Sequence, residues 1–282
     1  MLILEELEKS YKMFRIEIYL NFLTFIKGII SNKKLRKIIG LKILKIKRRS
    51  KYLIILFEQN INMLVHFGMT GKFYFIDKKD IKYRTSFYYN INSSKDKKHN
   101  RLTFFLSNNQ KLIYNDVRKF GFIKILRKDE LNDNSHLKNL GPEPLSIYFD
   151  FKYFKNYVIN RNIRIKNILM DQKFVSGLGN IYANEILFLS QVKPIKKAHL
   201  LKDNEIHKII NNTKKTLKMA ISLGGSSLKD FSSSDGKKGK FQQYFHVYGR
   251  NRENCSNKNC NEKILKITIS NRATFYCKKC QK

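Results

Sequence analysis

The only cysteines of the chain, Cys255, Cys260, Cys277 and Cys280, fall within its last 28 residues in the pattern C-x4-C-x16-C-x2-C. Thiolates in two close pairs, each on a tight turn and the pairs a hairpin apart, suit the tetrahedral coordination of zinc. Between the pairs, Lys263–Ile269 alternates as a strand and Ala273–Tyr276 makes a second. A ribbon that short has almost no core, so one structural Zn2+ ion is expected to supply its folding energy. Two disulfides or four inert thiols are the competing reading, disfavoured in a chain without an export signal.

Four other stretches carry residue types able to meet a polyanion. Gly177-Leu-Gly-Asn180 puts a glycine turn at the start of a helix, where free N–H groups and the Asn amide can receive a phosphate; an ordinary capped turn reads the same way. Arg48-Arg49-Ser-Lys51-Tyr52 packs three cations beside a strand, which is also how a solvated face looks. Asn115-Asp-Val-Arg118-Lys-Phe120-Gly121 interleaves charge and an aromatic at a turn and suits a side chain wedged into a base stack, or else a strand with a buried Phe. His66-Phe-Gly-Met69-Thr-Gly71 presents a Met on a glycine turn, or keeps it in a core.

The elements that must hold these residues follow from periodicity. Short strands are expected over Leu41–Ile46, Tyr52–Phe57, Met63–Phe67, Lys72–Ile76, Arg101–Leu106, Lys111–Tyr114 and Phe120–Leu126, a spacing that argues for a β-sandwich or barrel. Helical spacing appears over residues 4–30, around Ile165–Leu169, around Ile181–Phe188 and over Asp203–Leu223, the last stopped by Gly224-Gly225. Gly141-Pro-Glu-Pro144 marks a boundary, and Ser232–Lys240 is small and polar.

Composition limits the partners. The 282 residues carry 57 Lys and Arg against 22 Asp and Glu, a formal charge of +35, and such a field attracts a polyanion. Only 13 of the basic residues are Arg, so part of the charge reflects a Lys-rich composition. No apolar run approaches the roughly 20 residues that span a bilayer, and Met-Leu-Ile-Leu-Glu-Glu-Leu-Glu lacks the basic flank of an export signal. The expectation is a cytoplasmic, nucleoid-associated protein, monomeric, with no membrane and no redox cofactor.

The order of the stretches says more than any one of them. Arg-Arg-x-Lys-Tyr, His-x-Gly-Met-Thr-Gly, Asn-Asp-x-Arg-x-Phe-Gly and Leu-Gly-Pro-Glu-Pro-Leu145 are followed by Leu169-Met-Asp-Gln172, Gly-Leu-Gly-Asn-Ile-Tyr-Ala-Asn-Glu185 and Gly224-Gly-Ser-Ser-Leu-Lys-Asp230. Phe241-Gln-Gln243, Val247-Tyr-Gly-Arg250 and Asn271-Arg272-Ala-Thr-Phe-Tyr-Cys277 complete the series. From about Leu41 to Lys282 it resembles the formamidopyrimidine-DNA glycosylase (Fpg/Nei) family of base-excision enzymes.

The resemblance implies an α+β multidomain fold: an N-terminal β-sandwich with a leading helix (1–145), a helix–two-turn–helix domain (146–230), and a lesion loop with a C-terminal four-cysteine zinc ribbon (231–282), gripping damaged double-stranded DNA between them. It implies excision of 8-oxoguanine and formamidopyrimidines and cleavage of the abasic strand by β,δ-elimination. Lys51 matches the family's phosphate-contacting general acid of elimination. Arg272 matches the ribbon arginine that pins the flipped nucleotide. His99, Arg118, Arg161, Lys166 and Asn180 match DNA-contacting positions, and Met69, Arg118 and Phe120 match the trio that fills the gap left in the stack. The family begins Met-Pro-Glu, and its nucleophile and acid positions are occupied here by Leu2 and Ile3. That departure keeps open a damage- or abasic-site-binding protein with weak or no catalysis; a basic zinc-ribbon RNA-binding protein is the third reading.

Overall fold

The computed structural model describes residues 32–76, 82–84, 97–107, 110–226 and 240–282. They form two units, the first drawn from Met1–Lys138 and Gly224–Lys240, the second from Asn139–Leu223 and Phe241–Lys282. The helix expected over residues 4–30, the Leu2 and Ile3 positions and residues 232–239 lie outside the described residues.

In the first unit a short helix α1 (Asn32–Leu35) precedes the strands β1 (Ile43–Arg49), β2 (Tyr52–Phe57), β3 (Ile61–His66), β4 (Lys72–Ile76), β5 (Lys82–Arg84), β6 (Asn100–Phe105), β7 (Lys111–Asn115) and β8 (Phe122–Arg127). Two antiparallel four-stranded sheets result, in the orders β1-β2-β3-β8 and β5-β4-β7-β6. Side chains alternate across a strand, so Leu53, Ile55 and Phe57 of β2 share a face, as do Met63 and Val65 of β3 and Ile123 and Ile125 of β8. They meet Phe73, Leu102, Phe104, Leu112 and Tyr114 of the other sheet in one buried core, which makes the pair a β-sandwich. In β1 the apolar positions Ile43 and Ile46 are three apart, and a bulge between Ile43 and Lys45 brings both to the core face.

Strand edges depart from the sequence expectation for local reasons. β1 starts later than Leu41 and runs on through Arg49, because Arg48 and Arg49 pair with Leu53 and Tyr52 in the β1–β2 hairpin. β8 begins at Phe122 rather than Phe120; Lys119 takes a left-handed φ of 57°, and the residues before Phe122 form a loop. The three-residue β5 and the short helices α2 (Lys128–Asn132) and α3 (Ser135–Lys138) were not expected.

The second unit holds α4 (Phe151–Val158), α5 (Ile165–Met170), α6 (Asn180–Leu189), α7 (Asp203–Ser222) and the hairpin β9 (Leu265–Ile269)–β10 (Arg272–Tyr276). Asp150 caps α4 by accepting the Tyr153 N–H at 2.8 Å. Glu205 accepts the Lys202 N–H at 2.9 Å at the start of α7. The helical core gathers around Phe174, whose ring packs against Phe149, Tyr153, Phe154 and Tyr157 at 4.6–5.9 Å between centroids. Gly141 is required there, since a Cβ would stand 2.3 Å from the Phe174 carbonyl oxygen. Two turns join α5 to α6, and the Gln172 side chain ties them: it accepts the Gly177 N–H at 2.8 Å and donates to the Leu178 carbonyl at 2.9 Å.

Candidate nucleic-acid interface

In the first unit the β3–β4 loop and the loop before β8 bring Met69, Arg118 and Phe120 together. The Arg118 guanidinium lies 4.7 Å from the Phe120 ring centroid and its Nη1 is 3.3 Å from the Met69 sulfur. Met69 is 55% exposed and Phe120 56%, so the core Met and the buried Phe that the sequence also allowed are ruled out. Two large apolar side chains flank a cation, all on short turns open to solvent, which is the make-up of a wedge able to enter a base stack. The loops touch backbone to backbone. Gly68 takes φ +60°, and a Cβ there would sit 2.6 Å from the Phe120 carbonyl carbon.

Lys51 is exposed in the turn joining β1 to β2, after Ser50 at φ 55°. It lies near enough to His66 to help lower that imidazole's pKa, although burial is the larger cause and His136 adds to it. The His66 Nδ1 accepts the Gly68 N–H at 3.1 Å, which fixes the tautomer and braces the Met69 loop. His99 ends a 3-10 turn that leads into β6, and its carbonyl accepts the Asp116 N–H at 3.1 Å, so it adjoins the loop that carries Arg118 and Phe120.

The second unit assembles a different cluster around the hairpin turn of the ribbon. Ile269 and Arg272 pair across a two-residue turn, Ser270 and Asn271, both left-handed at φ 47° and 57°. Arg272 leaves that turn exposed. Beneath it the Ala273 carbonyl accepts from Asn180 Nδ2 at 2.9 Å and from Lys166 Nζ at 3.2 Å, and Lys166 also donates to Thr274 Oγ1 at 2.6 Å. Asn184 Oδ1 accepts the Phe275 N–H at 2.7 Å, so β10 is hydrogen-bonded onto the first turns of α6. Burial, with the Arg272 charge second, lowers the Lys166 ammonium from 10.5 to about 8. Lys166, Asn180 and Arg272 are thus neighbours, whereas Arg161 stands apart at the end of α4, its guanidinium 3.9 Å over the Tyr157 ring and bonded to the Tyr157 carbonyl at 2.7 Å.

Three polar residues that shape these sites, buried Asp116 and Glu185 and half-buried Gln172, carry no signal of that role in the sequence. The Glu185 carboxylate accepts the N–H groups of His246, Val247 and Tyr248 at 2.7–3.1 Å and so anchors the chain entering the ribbon. At the other end Gln281 accepts the Cys277 N–H at 2.9 Å and donates to the Val192 carbonyl at 2.8 Å. Lys282 pairs by its backbone with Gln191 and Lys193.

The four cysteine sulfurs lie within 4.8 Å of one another, with 3.8 Å between Cys255 and Cys280 and 3.7 Å between Cys260 and Cys277. A tetrahedron with zinc–sulfur bonds of about 2.3 Å has edges of about 3.8 Å, so the donor set fits zinc and excludes disulfides at these separations. No helix among the described residues is long and apolar enough to cross a membrane.

Comparison with known proteins agrees with this layout. Residues 12–123 match the model of the formamidopyrimidine-DNA glycosylase N-terminal domain, and residues 140–232 that of the formamidopyrimidine-DNA glycosylase H2TH domain. Formamidopyrimidine-DNA glycosylase of Rickettsia felis is 42% identical over 239 residues, covering 85% of this chain and 80% of that protein. The Rickettsia bellii protein of the same name is 42% identical over 246 residues, 87% of this chain and 84% of its own. Among solved structures, the Lactococcus lactis Fpg bound to abasic-site DNA superposes with a TM-score of 0.83 at 32% identity, covering 99% of this chain and 97% of that one. A mutant of the same protein, in complex with Fapy-dG DNA, gives 0.84 with the same identity and coverage.

Proposed function

Because the chain belongs to the formamidopyrimidine-DNA glycosylase family, we propose that it is a DNA repair glycosylase that turns an oxidised purine out of damaged duplex DNA, excises it and nicks the abasic strand by β,δ-elimination. The observation that carries the reading is the exposed trio Met69, Arg118 and Phe120, apolar surface that a folded sandwich does not need and an opened base stack would cover. A base inside a duplex is out of reach of any side chain, so extrusion needs groups that fill the gap and cations that hold the kinked backbone.

Arg118 presents its charge between the two wedge side chains and is suited to the unpaired partner base or its phosphate. Lys51 and His99 supply donors for the strand on the same unit. On the second unit Arg272 is the exposed cation for the extruded nucleotide's phosphate, and Asn180, at the start of α6, adds polar groups and the positive end of the helix. Lys166 supports the Arg272 strand from below and brings a second charge near it. Arg161 is assigned a phosphate contact of its own. In elimination Lys51 would hold a backbone phosphate and protonate it as the leaving group. The four thiolates would hold a structural zinc ion, which supplies folding energy to the ribbon and no chemistry at the lesion. Complexes of the Lactococcus lactis relative with abasic-site and Fapy-dG DNA support this choice of substrate class.

The test is incubation with a duplex carrying 8-oxoguanine opposite cytosine, with borohydride added in a parallel reaction. Nicking of the damaged strand is expected, together with a covalent protein–DNA adduct in which an amine of the chain stands in for the family nucleophile that Leu2 replaces. Tight binding to abasic-site duplex with neither product would instead establish the damage-binding reading, and RNA outcompeting that duplex would remove both.

A further inference from the structure

Asp116 is fully buried between the two wedge loops, and its bonds run to both. One carboxylate oxygen accepts the Thr70 hydroxyl; the other accepts the Gly121 N–H at 2.9 Å and faces the Tyr114 hydroxyl at 3.4 Å. Thr70 Oγ1 in turn accepts the Arg118 N–H at 3.0 Å. The Arg118 and Gly121 amides can only donate, so Thr70 Oγ1 and the carboxylate each serve this loop as an acceptor. The Asp116 backbone makes two more ties, donating to the His99 carbonyl at 3.1 Å and accepting from the guanidinium of buried Arg101 at 2.8 Å.

We propose that Asp116 is a positioning residue for the wedge, locking the Met69 loop and the Arg118–Gly121 loop into one geometry and so setting how well the protein tells a gapped base stack from an intact one. The inference rests on the function proposed above. Met69 and Phe120 are more than half exposed, so their aim is set by their backbones rather than by a surrounding core. Those backbones meet at distances that leave no slack: a Cβ on Gly121 would stand 2.0 Å from the Tyr114 hydroxyl oxygen and 2.7 Å from the His66 carbonyl oxygen. The carboxylate is bonded at once to the residue after Met69 and the residue after Phe120, and through Thr70 to Arg118. It has no exposed surface with which to touch DNA.

The experiment uses the full chain with Asp116→Asn, Thr70→Val and Thr70→Ser. Valine keeps the shape of Thr70 and loses both bonds; serine keeps both. Two readouts are taken: hydrogen exchange of the Arg118 and Gly121 amides in the free protein, and the affinity for a duplex with a tetrahydrofuran abasic site divided by that for the undamaged duplex. Asp116→Asn and Thr70→Val are expected to speed exchange and to lower the affinity ratio by about 10-fold or more, with undamaged-duplex affinity within about 2-fold of the parent, while Thr70→Ser restores both readouts. Unchanged exchange and an unchanged ratio in Asp116→Asn and Thr70→Val overturn the proposal, and so does an equal loss on both duplexes, which marks a general structural role. A parent chain with no preference for the abasic duplex overturns the functional reading, and the exchange comparison then still decides whether Asp116 locks the loops.

Discussion

The Met69 and Phe120 loops and the ribbon turn both hold exposed side chains still, and they do so by opposite means. Around Met69 and Phe120 the rigidity comes from within the chain: a sandwich core below, a buried carboxylate between the loops, and glycines at Gly68, Gly71 and Gly121 that let backbones meet. Arg272 sits on a two-stranded ribbon whose own buried set is small, chiefly Val247, Ile264, Phe275 and three of the cysteines together with Phe188 of α6. Its rigidity is borrowed, from four cysteine sulfurs placed to hold an ion and from hydrogen bonds to Lys166, Asn180 and Asn184. A site built on a core should withstand chemical insult and yield to a misplaced methyl group. One built on a metal should do the reverse.

The largest effect that would break this contrast is metal loss. Chelation, or Cys277→Ser, should weaken abasic-duplex binding by about 100-fold or more while the sandwich still unfolds cooperatively at its original temperature. Loss of both units together in a calorimetric scan would show that the ribbon's stability is not separable. Next comes Gly121→Ala, for which a cost of about 2–4 kcal/mol in the first unit is expected from the backbone and Tyr114 clashes, read by denaturant unfolding, with the ribbon's zinc content unaltered. An intermediate case is Met69→Ala or Phe120→Ala: each should reduce excision of 8-oxoguanine by about 10-fold yet shift stability by only about 0.5 kcal/mol, because the side chains are exposed. Stability losses as large as those of a core truncation would mean that these residues pack rather than probe.

The smallest effect is a pH slope. Lys166 binds its proton less tightly in the folded chain, at about 8, than at the ordinary value of 10.5. Between those values the unfolded chain holds more protons, so the Lys166 contribution makes folding more favourable as pH rises from about 8 and is level below it. Phosphate attraction by the same ammonium should fade as the pH passes about 8. Comparing Lys166→Met with the parent by denaturant unfolding at several pH values isolates the slope, and a pH-independent difference would remove the argument.

The contrast also explains what can be read from the residues alone. The sandwich strands are legible because burial on one face leaves a period of two, as in Leu53, Ile55 and Phe57; β5, a three-residue edge strand, leaves no such trace. The cysteine spacing is legible because coordination chemistry is local in sequence, and the structure brings the four sulfurs together. The second strand of the ribbon begins at Arg272, one residue early, and the first at Leu265 rather than Lys263, since Lys263 bridges to Asn254 instead. α4 is not evident in the sequence, although Phe151, Phe154 and Val158 have helical spacing and Lys152 and Asn156 face outward, because its 8 residues make only about two turns of the period. Asp116, Gln172 and Glu185 are visible as letters but not as anchors. A carboxylate or amide of this kind acquires its role from the backbone groups it meets, and for Glu185 those lie 61–63 positions away along the chain.

The tie at the end of the chain changes how metal loss should play out. With Glu185 gripping residues 246–248 and Gln281 and Lys282 zipped to 191–193, the cysteine-bearing segment is fastened at both sides. Stripped of its ion it becomes a closed loop, not a loose tail, and a loop surrenders less entropy when it is ordered again. Returning zinc would therefore find its four sulfurs still corralled, and Arg272 would come back to its post without the body of the protein having to refold.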